Sequence, residues 1–232
     1  MQKSLVIVSQ YYMKNIFFEY LSNLKNLMLS EEVTINLETV YNQLITMDYE
    51  EDISIPNNFC EVLPIELISR IWNLWELIIL ETPLLVTSDT PSACSEVILL
   101  LTSIIHPLKY IGDVRPYFTI YDNDFKDYRE EEGLKSNNSA IIGVINPICL
   151  KILSGWTILH MDTFSDKKSE IANNKRKFVV QPNQALLKVL DSKLPNETFN
   201  MYLRMYLTEL NNDFLRTFEE FFFTYDLEYM KR

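Results

Sequence analysis

Short apolar runs alternate along the chain with stripes of apolar residues that return every three to four positions, a pattern that predicts strands separated by helices. Ser4 to Ser9 (Ser-Leu-Val-Ile-Val-Ser) reads as a buried strand, and Ile16, Phe17, Tyr20, Leu21 and Leu24 then mark one face of a helix. Thr34 to Ile45 repeats the helical spacing through Ile35, Leu37, Val40, Tyr41 and Leu44, and the acidic stretch Asp48 to Asp52 predicts a loop. Leu67, Ile71, Leu74, Trp75 and Ile78 form the next helical stripe, which ends before Thr82-Pro83, and Leu84 to Val86 follows as a strand. Ser88 to Ser92 (Ser-Asp-Thr-Pro-Ser) is a helix-start signal for a buried helix over Ser95 to Ile105, closed by His106-Pro107-Leu108.

Further along, Arg115 to Tyr121, Ala140 to Ile145 and Ile158 to Met161 carry the β-branched and aromatic residues of strands, and Asn146-Pro147 opens a short helix. Asp166 to Lys177 is polar and predicts a mobile surface loop. Gln184 to Leu190 and Thr198 to Phe223 read as two terminal helices, the second apolar along Leu203, Leu207, Leu210, Phe214, Leu215, Phe218 and Phe222, a face suited to docking onto the sheet. The class implied is α/β, with a central mixed or mostly parallel sheet flanked by helices.

Composition narrows what such a fold does here. The 232 residues are 47% hydrophobic and 12% aromatic, which supports a packed core and excludes a disordered chain. A formal charge of -11 argues against nucleic-acid or anionic-membrane binding, because both require a basic footprint. Cys60, Cys94 and Cys149 are widely spaced and odd in number, which gives neither a disulfide framework nor a metal knuckle and points to a reducing compartment. No apolar run reaches the length of a bilayer span.

The chemistry that would make a covalent enzyme is missing from the pattern. Four glycines, where about sixteen would be average for this length, build neither a dinucleotide fingerprint nor a phosphate loop. His106 precedes a proline and His160 sits on an apolar run, so neither stands beside a nucleophile or a set of metal ligands. Asp122-Asn-Asp124 lacks the glycine and distant glutamate of a calcium loop. No cofactor and no metal site is expected.

Three segments carry a family resemblance. Leu74-Trp-Glu-Leu-Ile-Ile-Leu-Glu-Thr-Pro-Leu-Leu-Val86 resembles the helix-turn-strand pattern of the central DENN module. Pro107-Leu-Lys-Tyr-Ile-Gly-Asp-Val-Arg-Pro-Tyr-Phe-Thr-Ile-Tyr-Asp122 and Ile141-Ile-Gly-Val-Ile-Asn-Pro147 resemble two stretches of the DENN domain-containing protein 6 subgroup. The resemblance implies a DENN-like sheet at 56–165, preceded at 1–55 by the end of an N-terminal longin-like lobe and followed by a mobile loop at 166–180 and C-terminal helices at 181–232. The first half of the longin-like lobe is expected to be missing from this chain or supplied by a further subunit.

The function the resemblance implies is guanine-nucleotide exchange on, or binding of, a Rab-family small GTPase, in the cytoplasm and peripherally on endosomal or Golgi membranes. The alternative is a non-catalytic DENN-like scaffold or one subunit of a larger complex. Candidate partner-binding residues are Asp113, Arg115, Tyr117 and Asp122, with Trp75 and Glu76 as a second group, since arginine and tyrosine are common interface anchors. Two other roles stay open: Arg115 and Asp122 as an internal pair fixing strand ends, and Trp75 as core.

Overall fold

The computed structural model describes residues 55–128, 139–161, 169–192 and 194–229, together with the helical residues Tyr20, Leu21, Leu24, Glu38, Tyr41 and Asn42. The expected strand at 4–9 and loop at 48–52 lie outside the described residues. Two compact units divide the chain, Met1–Ser54 and Ile55–Arg232. In the first, Tyr20 and Leu24 are buried and Tyr41 is exposed.

In the second unit the elements run α1 (Phe59–Val62), α2 (Ile65–Ile68), α3 (Ile71–Ile79), β1 (Leu84–Thr87), α4 (Pro91–Ser103), β2 (Asp113–Arg115), a 3-10 turn (Asn123–Tyr128), β3 (Ala140–Val144), α5 (Pro147–Ile152), β4 (Thr157–His160), β5 (Glu170–Ala172), α6 (Gln184–Asp191) and α7 (Asn196–Tyr229). Capping residues start the helices where the sequence places them. Thr90 accepts the Ala93 amide ahead of α4 and Asn146 accepts the Ile148 amide ahead of α5, each followed by proline at the first helical position. Asn183 caps α6 through the Leu186 amide.

The strands form one sheet in the order β2-β3-β1-β4-β5, parallel except for the antiparallel β4–β5 edge. Side-chain alternation gives it two buried faces. Leu84 and Val86 of β1, Ile141 of β3 and Leu159 of β4 join a core with α1 to α4, α6 and α7. Leu85, Ala140, Ile142 and Val144 join a second core with Phe118, Phe125, Tyr128, Cys149, Leu153 and Trp156. The connection from β1 to β2 passes over β3 through α4 on the first face, and that from β3 to β4 passes back over β1 through α5 on the second. Opposite directions of travel with one handedness put helices on opposite faces, as in doubly wound sheets.

Four expectations need correction. The stripe read as a single helix over 67–78 is broken at Ser69-Arg70, where the Ser69 hydroxyl donates to the Glu66 carbonyl and competes with helical bonding. The strand expected over 115–121 lies at Asp113–Arg115 instead, because the backbone turns at Pro116, whose carbonyl lies over Gly143 rather than continuing the pleat. The chain leaves the sheet there, and the Phe118 amide returns to the Gly143 carbonyl at 2.7 Å. A Cβ on Gly143 would sit 2.2 Å from the Pro116 carbonyl oxygen, so this crossing requires glycine. Within the expected loop at 166–177, residues 170–172 pair with β4 as an edge strand.

Finally, α7 docks onto α1 and α6 rather than onto the sheet, whose face is already covered by α4. Phe199, Leu203 and Leu207 are buried along it, with Tyr206, Leu210 and Phe214 partly buried, while Phe218 is exposed. The side chain of Phe222 lies outside the described residues.

Candidate functional site

The free edge of β2 carries a polar network of Asp113, Arg115, Asp124 and Tyr128. Asp113 and Arg115 are two residues apart on a strand and so share a face. Arg115 Nε donates to both carboxylate oxygens of Asp113, at 3.1 and 2.9 Å, and its Nη2 donates to Asp124 Oδ2 at 3.0 Å. The guanidinium lies 5.8 Å from the centroid of the Phe118 ring. Tyr128, at the end of the 3-10 turn, donates its hydroxyl to Asp113 Oδ2. Its ring stands edge-on to Phe118 at 5.5 Å and to Trp156 at 5.9 Å, so the phenol reaches out of the second core to meet the strand.

These contacts set the electrostatics. Burial lifts the Asp113 carboxyl, but the hydrogen bonds from Tyr128 and Arg115, the Arg115 charge and the Val114 amide outweigh it and hold the group below its ordinary value. Burial, then the hydrogen bond to Asp113, pushes the Tyr128 phenol up to about 12. The bond to Asp113 also raises the Arg115 pKa further, so the guanidinium is charged at every working pH.

Asp122 has a different role. Its Oδ2 accepts the Thr119 amide and hydroxyl, both at 2.7 Å, and closes the turn between Phe118 and the 3-10 segment. Those two bonds hold its carboxyl below the usual range. The internal partners of Arg115 are therefore Asp113 and Asp124, not Asp122. Tyr117 is 42% exposed and Tyr121, in the same turn, 88% exposed.

Trp75 and Glu76 do not join this cluster. Trp75 is 5% exposed, packs edge-on against Phe214 at 5.7 Å and donates Nε1 to Asn211 at 2.6 Å. Glu76 is 6% exposed, and its carboxylate accepts the Val179 and Val180 amides at 2.9 to 3.0 Å.

Sequence reasoning named Asp113, Arg115, Tyr117 and Asp122 as candidates; the structure joins Asp113 and Arg115 in one network and sets Asp122 apart, bound to Thr119. That reasoning missed Asp124 as an ion-pair partner, Tyr128 as the Asp113 donor and Tyr121, the most exposed aromatic among the described residues. One signal was available: Phe125 and Tyr128 are three apart, the spacing at which a helical turn aligns two rings over Phe118.

The arrangement gathers groups suited to recognition. Its groups are a charged fork, acidic acceptors and exposed phenols, the usual material of a protein–protein contact. Among the described residues no three His, Cys, Asp or Glu side chains are grouped to hold a metal ion, and no helix is long and apolar enough to cross a membrane. Cys60, Cys94 and Cys149 are free thiols, the last two buried.

No protein-family model matches the chain. Among curated proteins it is 32% identical to the Protein DENND6 homolog of Dictyostelium discoideum, across 66% of this chain and 29% of that protein. It is 37% identical to Protein DENND6A of Gallus gallus, across 64% of this chain and 24% of that protein, and 36% identical to Protein DENND6B of Homo sapiens, across 54% and 20%. The chain spans less than a third of the length of these relatives.

Proposed function

We propose that this chain, a homologue of the DENND6 proteins and through them of the DENN domain family, is a binding module for a Rab-family small GTPase in membrane traffic, acting as a guanine-nucleotide exchange factor. The homology carries this reading. The edge of β2 supports it with a ready contact surface: Asp113, Arg115, Tyr117 and Asp122, joined by Asp124 and Tyr121.

Exchange of this kind needs no nucleophile. A factor that binds the nucleotide-free GTPase more tightly than its GDP-bound form weakens GDP binding by the same ratio, and a thousandfold effect needs about 4 kcal/mol of differential affinity. Preorganised side chains help, since less freedom is lost when the partner docks. Work in the cytoplasm and peripherally on endosomal or Golgi membranes goes with this reading, as does a longin-like lobe ending near residue 55.

The deciding experiment is release of a fluorescent GDP analogue from a panel of Rab proteins, with wild-type chain, Arg115→Ala and Asp122→Ala at equal folded concentration. Acceleration on one member, lost in the variants, is the expected result. No acceleration on any member, with no binding to nucleotide-free Rab, overturns exchange by this chain. The second reading, a DENN-like scaffold, is favoured by the spent charge of Arg115, which already has two carboxylates of its own.

A further inference from the structure

Arg115 is the centre of the β2 edge, its guanidinium held by Asp113 of the same strand and by Asp124 of the 3-10 turn. Nε is taken by Asp113 and Nη2 by Asp124, and neither carboxylate takes Nη1. Asp113 is in turn anchored by the Tyr128 hydroxyl, which binds Oδ2 beside the bonds from Arg115. Tyr128 cannot swing away, because its buried ring is wedged between Phe118 and Trp156. Rigidity thus passes from the second core, through one phenol and one carboxylate, to a half-exposed guanidinium.

We propose that Tyr128 is a positioning residue that presents Arg115 to the partner, and that the group Arg115 meets there is a neutral oxygen acceptor, a main-chain carbonyl or a side-chain amide. This rests on the Rab-binding reading above. The acceptor class follows from charge: Asp113 and Asp124 already supply two negative charges to one guanidinium, and Asp122 lies in the same turn. A third carboxylate brought to Nη1 would meet net repulsion, whereas a carbonyl gains a hydrogen bond from a charged donor without that cost. Fixing the guanidinium beforehand removes the rotamer entropy a free arginine loses on docking.

The test is a double-mutant cycle on affinity for nucleotide-free Rab, using the full chain as wild type, Tyr128→Phe, Arg115→Ala and the double variant. Tyr128→Phe keeps the ring and removes only the hydroxyl. It should weaken binding about tenfold in the wild-type background and less than about twofold in the Arg115→Ala background. The factor lost on Arg115→Ala should change little between about 0.05 and 0.5 M salt, as for a neutral acceptor; a steep decline would mean a carboxylate and overturn the acceptor assignment.

A partner-free arm separates this proposal from the reading beneath it. The Arg115 Nε–H resonance should be protected from solvent exchange in the wild type and lose that protection in Tyr128→Phe. Equal weakening in both backgrounds, or unchanged protection, overturns the positioning role. If the wild type binds no Rab the exchange reading fails instead, and the resonance alone decides whether Tyr128 positions Arg115.

Discussion

Trp75 Nε1 donates to Asn211 Oδ1 at 2.6 Å, and the same amide sends its Nδ2 to the carbonyls of Ile104 and His106 at 2.8 and 2.9 Å. One buried side chain on α7 therefore ties the indole of α3 to the end of α4. Asn200, three helical turns earlier and so on the same face, accepts the Cys60 amide at 3.0 Å and donates to Glu61. Leucines 203 and 207 between them make the contact favourable, and the two asparagines set its register.

Asn211→Ala should therefore be costly. It leaves an indole N–H and two carbonyls without partners in a closed interior, at about 1–3 kcal/mol for such a group. Urea unfolding should show a loss of that order or somewhat more, against a few tenths for Asn212→Ala on the exposed side of the helix. Equal midpoints for the two variants would mean that α7 is held by its leucines alone.

Glu76 is a buried carboxylate with two backbone amides for partners, and it clamps the strap that includes Val179 and Val180 across the end of α3. Glu76→Ala removes the acceptor and strands both amides, with an expected loss of about 2–4 kcal/mol. Hydrogen exchange should locate the effect, with faster exchange of the Val179 and Val180 amides first. If those two amides exchange as in the wild type while global stability falls, the residue acts through packing and not through the clamp.

The sequence disclosed periodicity and caps better than it disclosed partners. β1, β3, β4 and the starts of α4 and α5 were legible because Leu84 to Val86, Ala140 to Val144, Thr90-Pro91 and Asn146-Pro147 carry their signals locally. The early end of β2 was hidden, since Tyr117 to Ile120 have strand propensity and Pro116 overrides it only where its carbonyl crosses Gly143. Edge strand β5 was hidden for the opposite reason: Glu170 to Ala172 is short, polar at one end, and held by pairing with β4. At the candidate site the residue types were readable, but that Trp75 faces Asn211 and Arg115 faces Asp124 depends on contacts 136 and 9 residues apart in sequence.

Helix α3 ends with Glu81 at φ 49°, in the left-handed region, where the Thr82 amide bonds to the Leu77 carbonyl and the Glu81 amide to the Ile78 carbonyl. That is a Schellman ending, and glycine is the residue it favours. Glu81→Gly relieves the backbone strain, about 1–3 kcal/mol, and sets against it a more flexible unfolded chain and the lost bond from Ser139 to the Glu81 carboxylate, 3.0 Å long. The balance should be a small gain, up to about 1 kcal/mol. A clear loss in chemical denaturation would mean that the Ser139 contact outweighs the strain.

Asp113 gives the acid dependence its sign. Its carboxyl is held below its ordinary value, with burial opposing and the bonds from Tyr128 and Arg115 prevailing. A group whose folded value is depressed adds stability that is full above its unfolded value and lost as pH falls through the folded one. The contribution is thus present at neutral pH and begins to fade as pH drops below about 4. Asp113→Asn keeps the shape, removes the titration and leaves Arg115 with Asp124 alone. The variant should be less stable than wild type at pH 7, and the difference should narrow as the pH is lowered through the carboxylate range. Side chains this exposed are screened by solvent, so high salt should shrink the difference at pH 7 as well. A stability gap that stays constant from neutral to strongly acidic pH would show that Asp113 acts through its shape and not through its charge.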